Sequence, residues 1–182
     1  MNKFFAFPLL GLFISCLSPD DISMSTDSDI ELLDQTLKSV AEMQTGYQLN
    51  KLVKLDETEE VLIIEFDTTL IKKDLKTLLE VSFSRLIRST NYSKIKKKDS
   101  VIFERKAKEK KGPVSVVLTL DNGKINFCEV NFQNENYLYQ ENQAIQLTLV
   151  QGKLDSYKIV GSRKLIGLDP SSYQIKVNLI KY

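Results

Sequence analysis

The sequence predicts an α+β domain: a mainly antiparallel sheet with two amphipathic helices packed on one face. Three observations predict it. From residue 99 onward, apolar and polar residues alternate in run after run. Two stretches nearer the N-terminus instead repeat apolar residues at spacings of three and four. The strand-like runs are separated by turn signals such as Asn122-Gly123. A period of two puts one side of a strand in the core and the other in water, whereas spacings of three and four make one buried helical stripe.

The first helix is expected to start near Ser28, where Ser28-Asp29-Ile30-Glu31 has the form of a capping box. Ile30, Leu33, Leu37, Val40 and Ala41 then share a face, and Gly46 is a plausible stop. Residues 47–55 and 60–66 read as two strands of a hairpin across an acidic turn, Asp56-Glu57-Thr58-Glu59. Asp67, Thr68 or Thr69 can cap a second helix. Its stripe of Ile71, Leu75, Leu78, Leu79, Ser82, Leu86 and Ile87 is expected to run unbroken for about five turns. Six strands follow, at residues 101–106, 114–120, 125–132, 145–149, 154–161 and 173–179. Asn122-Gly123 suits a type I′ hairpin turn, and Gln151-Gly152-Lys153 marks another turn.

Composition narrows the function. The chain has 182 residues, 25 basic and 24 acidic, with a net charge of +1. That balance argues against a protein built as a whole around nucleic acid. There is no histidine. A Ser-His-Asp triad, a Cys-His pair and every histidine-based zinc site are therefore excluded. An enzyme of this sequence would work with carboxylate, Lys, Tyr or Ser alone. The two cysteines are Cys16 and Cys128. Cys128 lies in the alternating segment Ile125-Asn126-Phe127-Cys128-Glu129-Val130 and is expected to be a buried, inert thiol. No metal site and no cofactor motif is recognisable.

The N-terminus carries an address. Lys3 precedes an uncharged run, residues 4–15, too short to span a bilayer and suited to a signal peptide. It ends in Phe13-Ile14-Ser15-Cys16, and the chain then turns polar. This junction resembles the lipobox of bacterial lipoprotein precursors: an apolar residue, two variable residues with the second small, then Cys. Phe13 stands where Leu is commonest, a looseness similar to that of spirochaete lipoproteins. The resemblance covers residues 1–16. It implies cleavage between Ser15 and Cys16, a lipidated Cys16, and a place in the cell envelope, at the outer membrane or cell surface rather than the inner membrane. Several acyl chains, each contributing about 0.8 kcal/mol per buried methylene, anchor a protein stably. Residues 16–28 are then a lipidated, acidic tether, and residues 29–182 one globular domain. An ordinary secretory signal with Cys16 incidental is the competing reading.

Two surface candidates emerge. Residues 85–111 hold eleven basic side chains against three acidic ones, with Lys94, Lys96, Lys97 and Lys98 densest. The stretch reads either as solvated Lys-rich loops or as a surface for an acidic envelope partner or anionic lipid. Residues 134–142 read as a loop in which Tyr137 and Tyr139 offer rigid amphipathic rings among amides, the chemistry of adaptable recognition. Ser93-Lys94-Ile95-Lys96 matches Ser-x-x-Lys without the companion motifs of penicillin-recognising enzymes. Asp56, Glu57, Glu59 and Glu60 read as a solvated turn.

The expectation is a membrane-anchored, non-enzymatic envelope lipoprotein that binds a protein partner or envelope ligand, with the membrane as its first partner and no nucleic acid. A solute-binding or lipid-carrying domain with an apolar cavity under the second helix is one alternative. A hydrolase needing two carboxylates about 5–9.5 Å apart is another.

Overall fold

The computed structural model describes residues 28–43, 46–88, 91–108 and 112–181. The expected signal peptide, Ser15, Cys16 and the tether up to residue 27 lie outside these, as do Lys110 and Lys111. The described chain forms helix α1 (Ser28–Ala41), a hairpin of β1 (Tyr47–Leu55) and β2 (Thr58–Glu65), then short helices α2 (Thr68–Asp74), α3 (Lys76–Leu79) and α4 (Phe83–Arg88). A meander follows: β3 (Tyr92–Lys96), β4 (Ser100–Arg105), β5 (Ser115–Asp121), β6 (Lys124–Glu135), β7 (Tyr139–Val150), β8 (Lys153–Leu165) and β9 (Ser171–Lys181). Strand β9 pairs back onto β1, giving one nine-stranded sheet in the order β2-β1-β9-β8-β7-β6-β5-β4-β3. Every neighbouring pair is antiparallel. The α2–α4 segment thus carries the chain from one edge of the sheet to the other.

Local chemistry explains the tight connections. Asn122 and Gly123 have φ of 49° and 74°, and Gln151 and Gly152 have 55° and 80°. Two successive positive φ values match the right-handed twist of the flanking strands, and glycine takes the second position without steric penalty. Asp67 caps α2, its Oδ1 accepting from the Thr69 N–H at 2.7 Å.

One apolar cluster holds the fold. Ile30, Leu33, Leu37 and Val40 of α1 are buried, as the stripe predicts. Ile71, Leu75, Leu78 and Phe83 lie in the same cluster, as do Val116, Leu118, Val130, Ile145 and Leu147 from the central strands. Apolar side chains from the helices and from the central strands thus share one layer.

Three expectations need correction. The second helix is not continuous. Leu75, at φ −91° and ψ 12°, separates α2 from α3, and the chain leaves the helical path again at Val81 and Ser82. Helix α4 restarts where Asp34 of α1 accepts from the Phe83 and Ser84 N–H groups at 3.1 and 3.0 Å. An acceptor from another element thus satisfies amides that a new helix start leaves free. The restart also rotates the stripe: Phe83, outside the expected set, is fully buried, while Ser82 is exposed. Second, residues 92–96 form strand β3 rather than a Lys-rich loop. Third, residues 134–142 are mostly strand: β6 runs to Glu135 and β7 starts at Tyr139, leaving residues 136–138 as the turn.

Candidate functional site

Strands β6, β7 and β8 outrun their covering layer. Beyond Val130 and Ile145 the residues of β6 and β7 are exposed or half-buried on both faces. Beyond Gly161 those of β8 are exposed. This distal end is where the β6–β7 and β8–β9 turns sit side by side. Asn136 shapes the first turn, its Oδ1 accepting from the N–H groups of Leu138 (2.8 Å) and Tyr139 (3.0 Å). A backbone bond from the Ile166 N–H to the Leu138 carbonyl, 2.9 Å, ties the two turns together. The joined tip presents Tyr137, Leu138, Ile166 and Leu168, which are 82, 51, 73 and 62% exposed. Residues from both turns line a shallow hollow of about 300 Å³.

Below the tip the sheet is braced on its helix-bearing side. Arg163 pairs with Glu141 at 2.7 Å, and the Gln143 amide donates to the Tyr173 hydroxyl at 3.0 Å. Burial raises the Tyr173 pKa. The Tyr173 ring lies over Gly161, where an added Cβ would come within 2.2 Å of Cζ. Glycine is needed at this position for close approach, not for an unusual φ. The opposite side of these strands forms an open depression of about 500 Å³, with Asn131, Gln133, Asn142, Ala144, Val160 and Ser162 in its lining.

The sequence candidates therefore scatter. Tyr137 sits at the exposed tip, whereas Tyr139 is half-buried in β7. Lys94 is a structural residue. Its ammonium pairs with Asp29 at 2.8 Å and lies 5.5 Å from the Phe103 ring centroid, fastening the start of α1 to β3. Lys96, Lys97 and Lys98 are exposed. The β3–β4 turn lies by β5, with Leu120 N–H bonded to the Asp99 carbonyl, at the sheet end opposite the tyrosine tip. The lysines and tyrosines thus form no common surface. The Ser93-x-x-Lys96 pair also separates: residues three apart on a strand point to opposite faces, so hydroxyl and amine cannot meet.

One polar cluster was not foreseen. Lys51 Nζ lies 2.6 Å from Asp74 Oδ2, and the Tyr157 hydroxyl donates to the same oxygen at 2.7 Å. The Lys51 and Asp74 side chains are only 14 and 11% exposed. Burial, followed by the bond to Asp74 and its charge, pushes the Tyr157 pKa up strongly. With each group engaged by another, the cluster clips α2 onto β1 and β8. Cys128 is buried, and burial with a smaller contribution from Glu129 pushes its thiol up to about 12. Asp56 accepts from the Ser172 N–H at 2.7 Å, joining the β1–β2 turn to β9. Among the described residues no group of three or more Asp, Glu or Cys is arranged to hold a metal ion. No described helix is long and apolar enough to cross a membrane.

No protein-family model matches this chain, and no curated protein or solved structure matches it significantly.

Proposed function

We propose that this is a lipid-anchored bacterial envelope protein that holds a protein partner at the distal tip of its sheet and carries out no reaction of its own. The observation that carries the reading is the joined tip, where Tyr137, Leu138, Ile166 and Leu168 stand exposed together. Large apolar side chains presented as a group mark an interaction surface, and singly scattered ones do not. Burying one Leu or Ile contributes about 1.5–3 kcal/mol, so a tip of this kind can supply the anchors of an interface. Its rigidity helps, because the Asn136 turn and the Ile166–Leu138 bond fix the tip before binding. In this reading α1 and the α2–α4 segment cover one side of the sheet and leave the tip free. The lipid on Cys16 would hold the domain at the membrane, with residues 17–28 as spacer. The absence of histidine supports a binding role over a catalytic one. The packing of helix and strand side chains into one apolar cluster supports a binding module over a lipid carrier.

The test is photo-crosslinking in intact cells with a photoreactive amino acid at position 137 of the full chain. The expected result is one discrete protein adduct, lost in an Ile166→Asp background and absent with the probe at Asp155, which is exposed on β8. Equal adducts from both positions, or none from position 137, would overturn the assignment.

A further inference from the structure

The two edges of the sheet carry opposite charge. Strand β2 is outermost on one side and β3 on the other. Residues 56–67, which contain β2, hold six carboxylates and no basic residue. Residues 92–98, which contain β3, hold four lysines and no acid; Lys94 is held by Asp29, which leaves Lys96, Lys97 and Lys98 as the exposed charges of this edge. Among the described residues no helix covers β2, whose residues are all exposed except Ile64. An outermost strand leaves a row of backbone N–H and C=O groups without a neighbouring strand, and proteins ordinarily blunt such edges.

The edges also match in shape. Val61 and Ile63, 58 and 72% exposed, lie on the helix-free face of β2, and Ile95, 42% exposed, lies on the same face of β3. A single row of the ladder begins with Val61 and Leu52 and ends with Val117, Ile102 and Ile95. Each edge thus has a small apolar shelf beside its charges. Because β2 and β3 are the first and ninth strands of an alternating sheet, they run in the same direction. A second copy in the same orientation would lay its β3 parallel to β2, with both shelves on one face. If Ile95 falls beside Ile63, Lys97 stands level with Glu65. If it falls beside Val61, Lys96 stands next to Leu62, with Lys97 and Lys98 continuing towards Glu65.

We propose that these edges are the two halves of one interface, through which copies of this chain join head to tail, β2 of one against β3 of the next, into a continued sheet. The symmetric alternatives are disfavoured. Joining β2 to β2 sets carboxylates against carboxylates, and β3 to β3 sets lysines against lysines, and facing like charges destabilise a strand pair. A head-to-tail contact does not close on itself without a rotation, so it makes open chains rather than a dimer. The inference is independent of the distal tip, to which neither Val61, Ile63 nor Ile95 belongs.

The experiment uses the full chain purified in detergent, followed by size exclusion with light scattering. One variant, Ile63→Lys, blocks the β2 edge. A second, Ile95→Asn with Lys96→Asn, blocks the β3 edge without offering a counter-charge to the lysine of the first. All three positions are exposed, and unchanged circular dichroism and thermal midpoints establish that the variants fold. The wild-type chain is expected to form a concentration-dependent series of oligomers. Raising the salt from about 0.1 M to about 1 M should weaken it about tenfold or more, as the screening length falls from about 10 to about 3 Å. Each blocked variant should be monomeric alone, and their mixture should give a one-to-one dimer and nothing larger, since each retains one intact edge. A monomeric wild type at every concentration overturns the proposal. So does a variant that still dimerises by itself, the mark of symmetric pairing, or a mixture that stays monomeric.

Discussion

Removing the carboxylate of Asp74 should be among the most damaging single polar changes in the described domain, because it orphans two groups at once. In the wild type one oxygen of Asp74 accepts from the Tyr157 hydroxyl at 2.7 Å and from the Lys51 ammonium at 2.6 Å. Asp74→Ala leaves the hydroxyl of Tyr157, a residue 2% exposed, without its acceptor. That costs about 1–3 kcal/mol. It also leaves an ammonium with little water around it and no counter-charge. Breaking a buried ion pair from one side costs about 3–5 kcal/mol, and the residual exposure of Lys51 places the total toward the lower end. Lys51→Met strands the carboxylate instead, but Asp74 keeps its bond to Tyr157 and the methylene chain still fills the space, so about 2–4 kcal/mol is expected. Tyr157→Phe removes one hydrogen bond and leaves the ion pair, for about 1 kcal/mol. Urea unfolding followed by circular dichroism, with all three variants beside the wild type, reads the order directly. If Asp74→Ala proves no worse than Tyr157→Phe, Asp74 is not the shared acceptor and the clip between α2, β1 and β8 is not a stabilising element.

Further outcomes follow from the same structure. Alkylation at pH 8, read by peptide mass spectrometry, should leave Cys128 unmodified in the folded protein and label it once urea is added, because burial keeps the thiol protonated; rapid native labelling would contradict its burial. The pH dependence has a definite sign. The folded thiol titrates at about 12 rather than 9.0, so its contribution is intact below pH 9 and is lost as the pH rises from there toward 12, while the unfolded chain gives up its proton first. The slope from one such group reaches about 1.4 kcal/mol per pH unit, and Cys128→Val should flatten the curve by that amount; an unchanged slope would contradict the assignment. Gly161→Ala should destabilise the distal sheet by about 1–3 kcal/mol, since the new methyl meets the Tyr173 ring, and Gly161→Ala with Tyr173→Leu should recover part of the loss. If the double variant is as unstable as the single one, the ring is not the obstacle.

Much of this architecture was legible in the residues, and the parts that were not share a cause. The alternation of Ile145, Leu147 and Leu149 and the pair Asn122-Gly123 report forces that act locally, and strands and turn stand where they read. Helix α1 is legible for the same reason: its buried stripe is Ile30, Leu33, Leu37 and Val40. The break in the second helix is not local. Its restart as α4 is met by Asp34, some fifty residues away in sequence, which offers its carboxylate to the amides at Phe83 and Ser84. Strand β3 hides behind its lysines, because an edge strand is wet on two sides and carries charge where a central strand carries Val. Tyr137 stood out in the sequence as a candidate, but its neighbours at the tip, Ile166 and Leu168, reach it only through the pairing of β7 with β8. The clip left a signal that can be read in retrospect. Lys51 occupies a core-facing position between Leu49 and Val53, and Asp74 lies within the apolar stripe between Ile71 and Leu75. A charge at an apolar position of each of two elements calls for a partner, and each is the other's.

The proposed anchor of this domain at a bilayer is the sulfur of Cys16. Metabolic labelling with a clickable fatty acid, comparing the wild-type chain with Cys16→Ala in the native host, tests that most directly. A labelled wild-type band and an unlabelled variant are expected; equal label on both, or none on either, would contradict acylation of Cys16.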